Sequence, residues 1–244
     1  MVPAMDEETS NREMAWSGAV NARDLGGLVR VQPGRVFRSA RREYLSQAGW
    51  QQMYDSGVRT IIDLRNVDEH GRRESDPTDV VEDARIRVIS VPIEDQSVPE
   101  FQEIYPTHNS PECFWPTMRL WPEKLVAVYR AIAQAATEPG GVLIHCAAGR
   151  DRTGMIVMGL LQLAGVPAEQ IVADYELAVR GITSYDPKFT DSPEGYDLSL
   201  EAWVIHTRQA MLASLATDDV ESYLLRNKVS KGEIGSIRRL LIDA

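Results

Sequence analysis

The stretch Gly141–Gly165, GVLIHCAAGRDRTGMIVMGLLQLAG, constrains this chain more than any other. Val142-Leu143-Ile144 is a short apolar run after a glycine pair, the pattern of a buried strand. His145–Thr153 is a loop of small and polar residues, and Gly154–Leu163 is an unbroken helical run closed by Gly165. Strand, glycine-bearing loop and helix N-terminus together make an anion cradle. Successive backbone N–H groups curl round the anion and the helix dipole adds positive potential. Into this cradle the sequence sets one cysteine, Cys146, with an arginine six residues on, Arg152, followed by Thr153. A loop of that length closes round one phosphate. Cys146 then lies beneath the phosphorus as a nucleophile, and Arg152 grips the equatorial oxygens with its planar fork. A thiol in an N–H nest, at a helix N-terminus and beside an arginine, is set up to act as a thiolate. The Thr153 hydroxyl is expected to donate to the sulfur. The bland alternative is a buried structural cysteine beside a solvated charge cluster. Chance supplies Arg and Ser/Thr at this offset on the order of one time in a hundred, but not the flanking strand, glycine and helix as well.

Composition narrows the setting. In a chain of 244 residues, 43% apolar and 25% charged content is that of a soluble globular protein. The longest apolar run, around Met155–Leu161, is too short to span a membrane, and the acidic, polar start MVPAMDEETSNRE is not a Sec-type signal. Two cysteines, Cys113 and Cys146, are too few for a disulfide scaffold, and a nucleophilic thiol must stay reduced, so the cytoplasm is expected. The four histidines are scattered, so neither a metal nor any cofactor is expected. A net charge of −10 argues against nucleic acid as a partner. An anionic substrate is therefore drawn in locally, by Arg150, Arg152 and the nest. A monomer is expected.

Residues 1–13 read as a disordered lead. Val29–Val31 and Arg35–Arg38 flank Gln32-Pro33-Gly34 as a hairpin. Ser46 caps a helix that Gly57 stops, Val58–Leu64 is a buried strand, Glu69–Arg85 is a charged surface stretch, and Arg87–Pro92 is another strand. Residues 93–122 are the least regular part. Their prolines and the aromatics Phe101, Tyr105, Phe114 and Trp115, read as exposed, suggest a lid. Trp121-Pro122-Glu123 reads as a helix start, with the helix running to Ala136. Another helix begins at Pro167 and ends near Gly181, Ser184–Leu198 is a polar loop, and Leu200–Leu215 is a helix. Asp218-x-x-Glu221 and Ser230-x-x-Glu233 both look like capping boxes. Strands alternating with helices imply one α/β domain around a mainly parallel sheet, with the strand before Cys146 at its centre.

His145-Cys146-Ala147-Ala148-Gly149-Arg150-Asp151-Arg152-Thr153-Gly154 resembles the active-site loop of cysteine-dependent protein tyrosine phosphatases. More narrowly it is similar to an atypical bacterial branch with a Cys-x-x-Gly-Lys-Asp-Arg loop. Asn21–Gly27 (Asn-x-Arg-Asp-Leu-Gly-Gly), Asp63-Leu64-Arg65 with Glu69 after it, Ile171–Tyr175, and Tyr223-Leu224 with Ile234–Leu241 also match the branch. The resemblance implies a single phosphatase domain over 14–244, with a lid and acid-loop region at 93–122, a phosphate-binding loop at 141–154 and C-terminal helices at 199–242. It implies Cys146 as nucleophile, and Ala147, Ala148, Gly149, Arg150, Asp151, Arg152 and Thr153 as the phosphate-binding residues. The branch's loop lysine is Arg150 here, a planar fork in place of a point charge, which puts substrate choice at that residue.

The implied reaction needs no metal. Cys146 attacks phosphorus, a general acid protonates the leaving oxygen, and water hydrolyses the phosphocysteine. Two acids compete. Asp151 maps onto the aspartate implicated in the branch, and Asp95, in Val91-Pro92-Ile93-Glu94-Asp95, resembles the acid loop of dual-specificity and lipid phosphatases. Asp63, Arg65, Arg23 and Asp24 read as braces, and Cys113 as a bystander thiol. The implied substrate is a phosphotyrosine protein, with phosphoserine, phosphothreonine and phospholipid headgroups as further candidates. Alternatives are a small phosphate ester as substrate, or a module that binds phosphate without turnover.

Overall fold

A computed structural model describes residues 12–185 and 199–242. The expected lead therefore lies outside them up to residue 11, as does the polar loop from residue 186 to 198. In chain order come strand β1 (Arg23–Asp24), β2 (Val36–Ser39), helix α1 (Gln47–Asp55), β3 (Val58–Asp63) and β4 (Arg87–Ser90). Then follow α2 (Phe101–Ile104), α3 (Phe114–Leu120), α4 (Pro122–Ala135), β5 (Gly141–His145) and α5 (Asp151–Ala164). The chain ends in α6 (Ala168–Tyr185), α7 (Leu200–Thr217), α8 (Val220–Arg226) and α9 (Lys231–Leu241).

The five strands form one sheet in the order β1-β2-β5-β3-β4. β2, β5, β3 and β4 run parallel, and β1 joins the edge antiparallel. β5 is central, and all five of its residues are buried. Its side chains alternate between two cores, as a strand's period of two requires. Leu143 faces α1 with Trp16, Phe37, Trp50 and Met53, while Val142 and Ile144 face the larger core built with α4, α5 and the C-terminal helices. Burying both faces lets a parallel sheet carry Val/Ile/Leu runs without a polar face.

Several local signals act as expected. The Ser46 hydroxyl accepts from Gly49 N at 3.1 Å to start α1, and Gly57 (φ +95°) follows its end. Trp121 precedes α4, with Pro122 at the first turn. Gly165, at φ +71°, ends α5 in the left-handed conformation. Ser230 and Glu233 form the capping box of α9. Other expectations are corrected. The hairpin partner of β2 is Arg23–Asp24, not Val29–Val31, because the Asp24 carboxylate accepts from both Gly26 N and Gly34 N and closes the intervening turn. The cap of α8 is Asp219, which accepts from Ser222 N, rather than Asp218. Helix α6 runs past Gly181 to Tyr185. The aromatics of the irregular segment are not surface groups. Phe101, Phe114 and Trp115 are 4%, 0% and 3% exposed, and only Tyr105, at 47%, lies open. Trp115 donates from its indole to Ser214 O, and Phe114 meets Tyr175 edge-on, so this segment packs onto the helical core.

Candidate active site

The turn from Cys146 to Arg150, between β5 and α5, is shaped by what its carbonyls bond to. Cys146 O meets His145 Nδ1 at 3.0 Å, and Ala147 O accepts from Arg41 N at 3.0 Å. Ala148 O accepts from Asn21 Nδ2 at 3.1 Å, and Gly149 O from Arg38 Nη2 at 2.7 Å. Four successive carbonyls are thus held by groups around the turn, an arrangement in which the N–H groups of a turn can meet an anion as a nest. Gly149 closes the nest at φ +68°, and a Cβ there would stand 2.3 Å from the Ser39 carbonyl oxygen. No other residue fits without moving the strand beside it.

The outside grips rest on buried charge. Asp174 on α6 binds Arg12 and Arg38 through both carboxylate oxygens, with Arg23 at 3.6 Å. Burial would raise its pKa, but these three guanidiniums hold it well below the usual carboxylate range. Burial, with Arg38 and Arg12 beside it, pulls Arg23 down to about 9. A second brace joins β3 to the segment after β2. Arg65, wholly buried, bonds Asp63 and Glu43, and Arg42 reaches Asp63 at 2.5 Å. The His145 ring packs over this brace with Nε2 3.5 Å from Asp63, and burial draws its pKa down to about 4, leaving a neutral imidazole. Asp63, Arg65, Arg23 and Asp24 thus all serve as braces.

Cys146 sits at the floor of the nest, 2% exposed and free of any disulfide. Arg152, in the first turn of α5, is aimed by Glu69, which takes both its terminal nitrogens at 2.5 Å. Glu69 is itself fixed, since it accepts from Asn66 N in the cap of the Val67–Glu69 turn. Burial alone would weaken the Arg152 charge, but Glu69, Cys146 and Glu94 together hold the guanidinium above its ordinary pKa. Glu69 takes one N–H from each terminal nitrogen, and Glu94 Oε1 lies 3.4 Å from Nη1.

The remaining expected residues fall in three places. Ala147 and Ala148 lie in the turn, with their carbonyls bonded to Arg41 N and Asn21 Nδ2. Thr153 is wholly buried, and among the described residues its Oγ1 makes no hydrogen bond, to the sulfur or to any other group. Arg150 is turned inward, 2% exposed, with Nε on both oxygens of Asp151. Asp151 also accepts from the Tyr175 hydroxyl at 2.5 Å. Asp95 accepts from Ser97 N and Ser97 Oγ in a local turn, and these bonds lower its pKa. Its neighbour Glu94 lies instead 3.4 Å from Arg152 Nη1. Sequence alone does not separate these adjacent carboxylates. The only hint is the alternation after β4, where buried Ile93 anchors the segment. Cys113 is buried, and burial followed by the charges of Asp151 and Glu94 pushes its thiol up. Among the described residues no cluster of His, Cys, Asp and Glu is arranged to hold a metal ion.

The model of the tyrosine phosphatase family matches residues 14–243. The chain belongs to the tyrosine phosphatase family. A Cupriavidus necator protein, provisionally named as a tyrosine-protein phosphatase, is 28% identical over 187 residues, covering 71% of this chain and 65% of its own. The triple specificity protein phosphatase PtpB of Mycobacterium tuberculosis is 30% identical over 186 residues, 65% of this chain and 66% of that one. The chain thus spans just under two thirds of the length of these curated relatives. The crystal structure of Pseudomonas aeruginosa TpbA aligns with 16% identity and a TM-score of 0.39, covering 88% of this chain and 98% of that one. The match covers the loop and, apart from Arg12, the residues of both braces. Among the described residues no helix is long and apolar enough to cross a membrane.

Proposed function

We propose that this chain is a cysteine-dependent phosphatase that hydrolyses phosphotyrosine through a phosphocysteine intermediate, in one catalytic domain over 14–244. The observation that carries this reading is the ring of outward-held carbonyls from Cys146 to Gly149, with a thiol at its floor and an arginine fork at its rim. A phosphoryl group seated there meets backbone N–H groups and Arg152 on its equatorial oxygens. Cys146 sulfur attacks phosphorus in line, the S–P bond forms as the P–O bond to the leaving group breaks, and water then attacks phosphorus, breaking the S–P bond and releasing phosphate and the thiolate. Most of the barrier lowering comes from donors already aimed at the charge that develops. His145 holds the loop through Cys146 O and takes no part in proton transfer. A carboxyl group must protonate the leaving oxygen. Asp151 and Asp95 are the candidates that the family pattern suggests, and Glu94 joins them by its position at Arg152.

The inward turn of Arg150 supports phosphotyrosine over inositol phosphates, because a headgroup carrying several phosphates calls for cations at the mouth. The name of the mycobacterial relative supports a wider range that includes phosphoserine and phosphothreonine. A thiol nucleophile suits a reducing compartment such as the cytoplasm. The test is a panel of phosphotyrosine peptide, phosphoserine peptide and phosphoinositide, run in EDTA with and without vanadate. Phosphotyrosine turnover that survives EDTA and stops with vanadate is expected. A rate on phosphoinositide that exceeds the peptide rate would reverse the substrate assignment.

A further inference from the structure

Asp174 and Tyr175 are consecutive on α6 and hold the loop from two sides. Neighbours on a helix point about 100° apart, so the two side chains go to different partners. Asp174 binds Arg12 and Arg38 behind the turn. Tyr175 reaches the start of α5, where its hydroxyl donates to Asp151 Oδ1 at 2.5 Å. Gly154 makes that reach possible. Asp151 and Gly154 are three residues apart and share one face of α5. A Cβ on Gly154 would stand 2.8 Å from both Cδ2 and Cε2 of Tyr175, so any side chain there would push the ring away. Phe114 meets the same ring edge-on at 6.0 Å, and Tyr175 is 1% exposed, which leaves the hydroxyl little room to turn elsewhere. Burial first, and the charge of Asp151 second, push the phenol well above its ordinary pKa, so it stays a neutral donor. Asp151 also takes Arg150 Nε on both oxygens, at 2.9 and 3.1 Å. Tyr175, Asp151 and Arg150 thus form one bonded group directly before Arg152. An aspartate at a helix start has other rotamers that reach backbone N–H groups, and the bond from Tyr175 selects one of them.

Resting on the phosphatase reading above, we propose that Tyr175 is a positioning residue of the reaction: its hydroxyl fixes the Asp151 carboxylate, and through it Arg150, at the start of α5. Tyr175 acts through Asp151 and touches neither the phosphoryl group nor the leaving oxygen. This role is the same whichever carboxyl protonates the leaving oxygen, because Asp151 is a candidate for that task and also anchors Arg150.

The test is a double-mutant cycle of Tyr175→Phe and Asp151→Asn, read as kcat and KM on phenyl phosphate and as vanadate affinity. Tyr175→Phe keeps the ring against Gly154 and Phe114 and removes only the hydroxyl. It should lower kcat about tenfold, while KM and vanadate affinity stay within about threefold of wild type. On the Asp151→Asn background the same change should cost less than about twofold more. A full tenfold loss on that background would mean that the hydroxyl works independently of Asp151, and would overturn the proposal. So would a wild-type rate in Tyr175→Phe or in Asp151→Asn. A fall in vanadate affinity as large as the fall in kcat would make Tyr175 a support of the nest, and would also overturn it. If Tyr175→Phe does not fold, tyrosine labelled with ¹³C at Cζ carries the test in the wild-type and Asp151→Asn proteins. The Tyr175 signal should move when its acceptor changes, and an unmoved signal overturns the proposal. Cys146→Ser in the same panel separates the two claims. Turnover in that variant defeats the phosphatase mechanism itself, whatever Tyr175 does.

Discussion

At the scale of single residues, the site depends on groups whose freedom has been removed. Gly149 is the sharpest case, because its left-handed backbone and the 2.3 Å approach to Ser39 O leave no room for a methyl group. Gly149→Ala should cost about 1–3 kcal/mol in urea denaturation from backbone strain alone, and should weaken vanadate binding more than overall stability. Unchanged vanadate affinity would mean that the nest tolerates the shift. Glu69 acts through Arg152. Glu69→Gln replaces a charged fork-to-fork pair with one neutral contact, so the guanidinium loses its aim and turnover should fall by about a hundredfold. Steady-state kinetics should show both KM and kcat moving, since the arginine serves ground state and transition state alike. Sequence already placed Cys146, Arg152 and the glycine of the loop, because a strand, a loop and a helix in direct succession fix their neighbours within a few ångströms. It left Asp95 and Glu94 undivided. Which of the two reaches Arg152 and which bonds Ser97 depends on Ile93 finding its core site, and that is a tertiary event.

At the scale of elements, β5 and α5 deliver the loop while α6 secures it. Asp174 on α6 balances Arg12, Arg23 and Arg38, and two of those arginines link the first strands to the nest. Removing the carboxylate leaves three buried guanidiniums facing one another. Asp174→Asn should therefore destabilise by about 3–5 kcal/mol in chemical denaturation and lower activity in proportion to the unfolded fraction. A loss under about 1 kcal/mol would show the cluster to be solvated. The α/β order and the central place of β5 were legible, since an apolar run on both faces of a strand demands cover from both sides. The segment between β4 and α4 was not. Its prolines mask short helical turns, and Phe101, Phe114 and Trp115 become core only once α6 and the C-terminal helices are there to receive them.

At the scale of the whole molecule, buried titrating groups tie stability to pH. His145 is neutral when folded, with its pKa pulled from 6.5 down to about 4, so the unfolded chain binds its proton first. Its contribution is complete above pH 6.5 and is lost as pH falls toward 4, by about 3 kcal/mol over that window. Asp63 and Asp174 are held below the usual carboxylate range, so their contributions persist above the unfolded aspartate value and are lost only in stronger acid. Denaturation midpoints measured from pH 8 to pH 3 should decline in two stages, and His145→Gln should flatten the first. A flat profile between pH 6.5 and 4 would contradict the buried neutral histidine. In the proposed reaction this framework serves one thiol, that of Cys146. Rapid quench of the enzyme turning over an aryl phosphate, followed by mass spectrometry of the peptide containing Cys146, should find the phosphoryl group on its sulfur. Cys146→Ser should lose about 10³-fold or more in rate while still binding vanadate. Turnover at the wild-type rate by Cys146→Ser, or phosphorylation at another residue, would contradict that reaction.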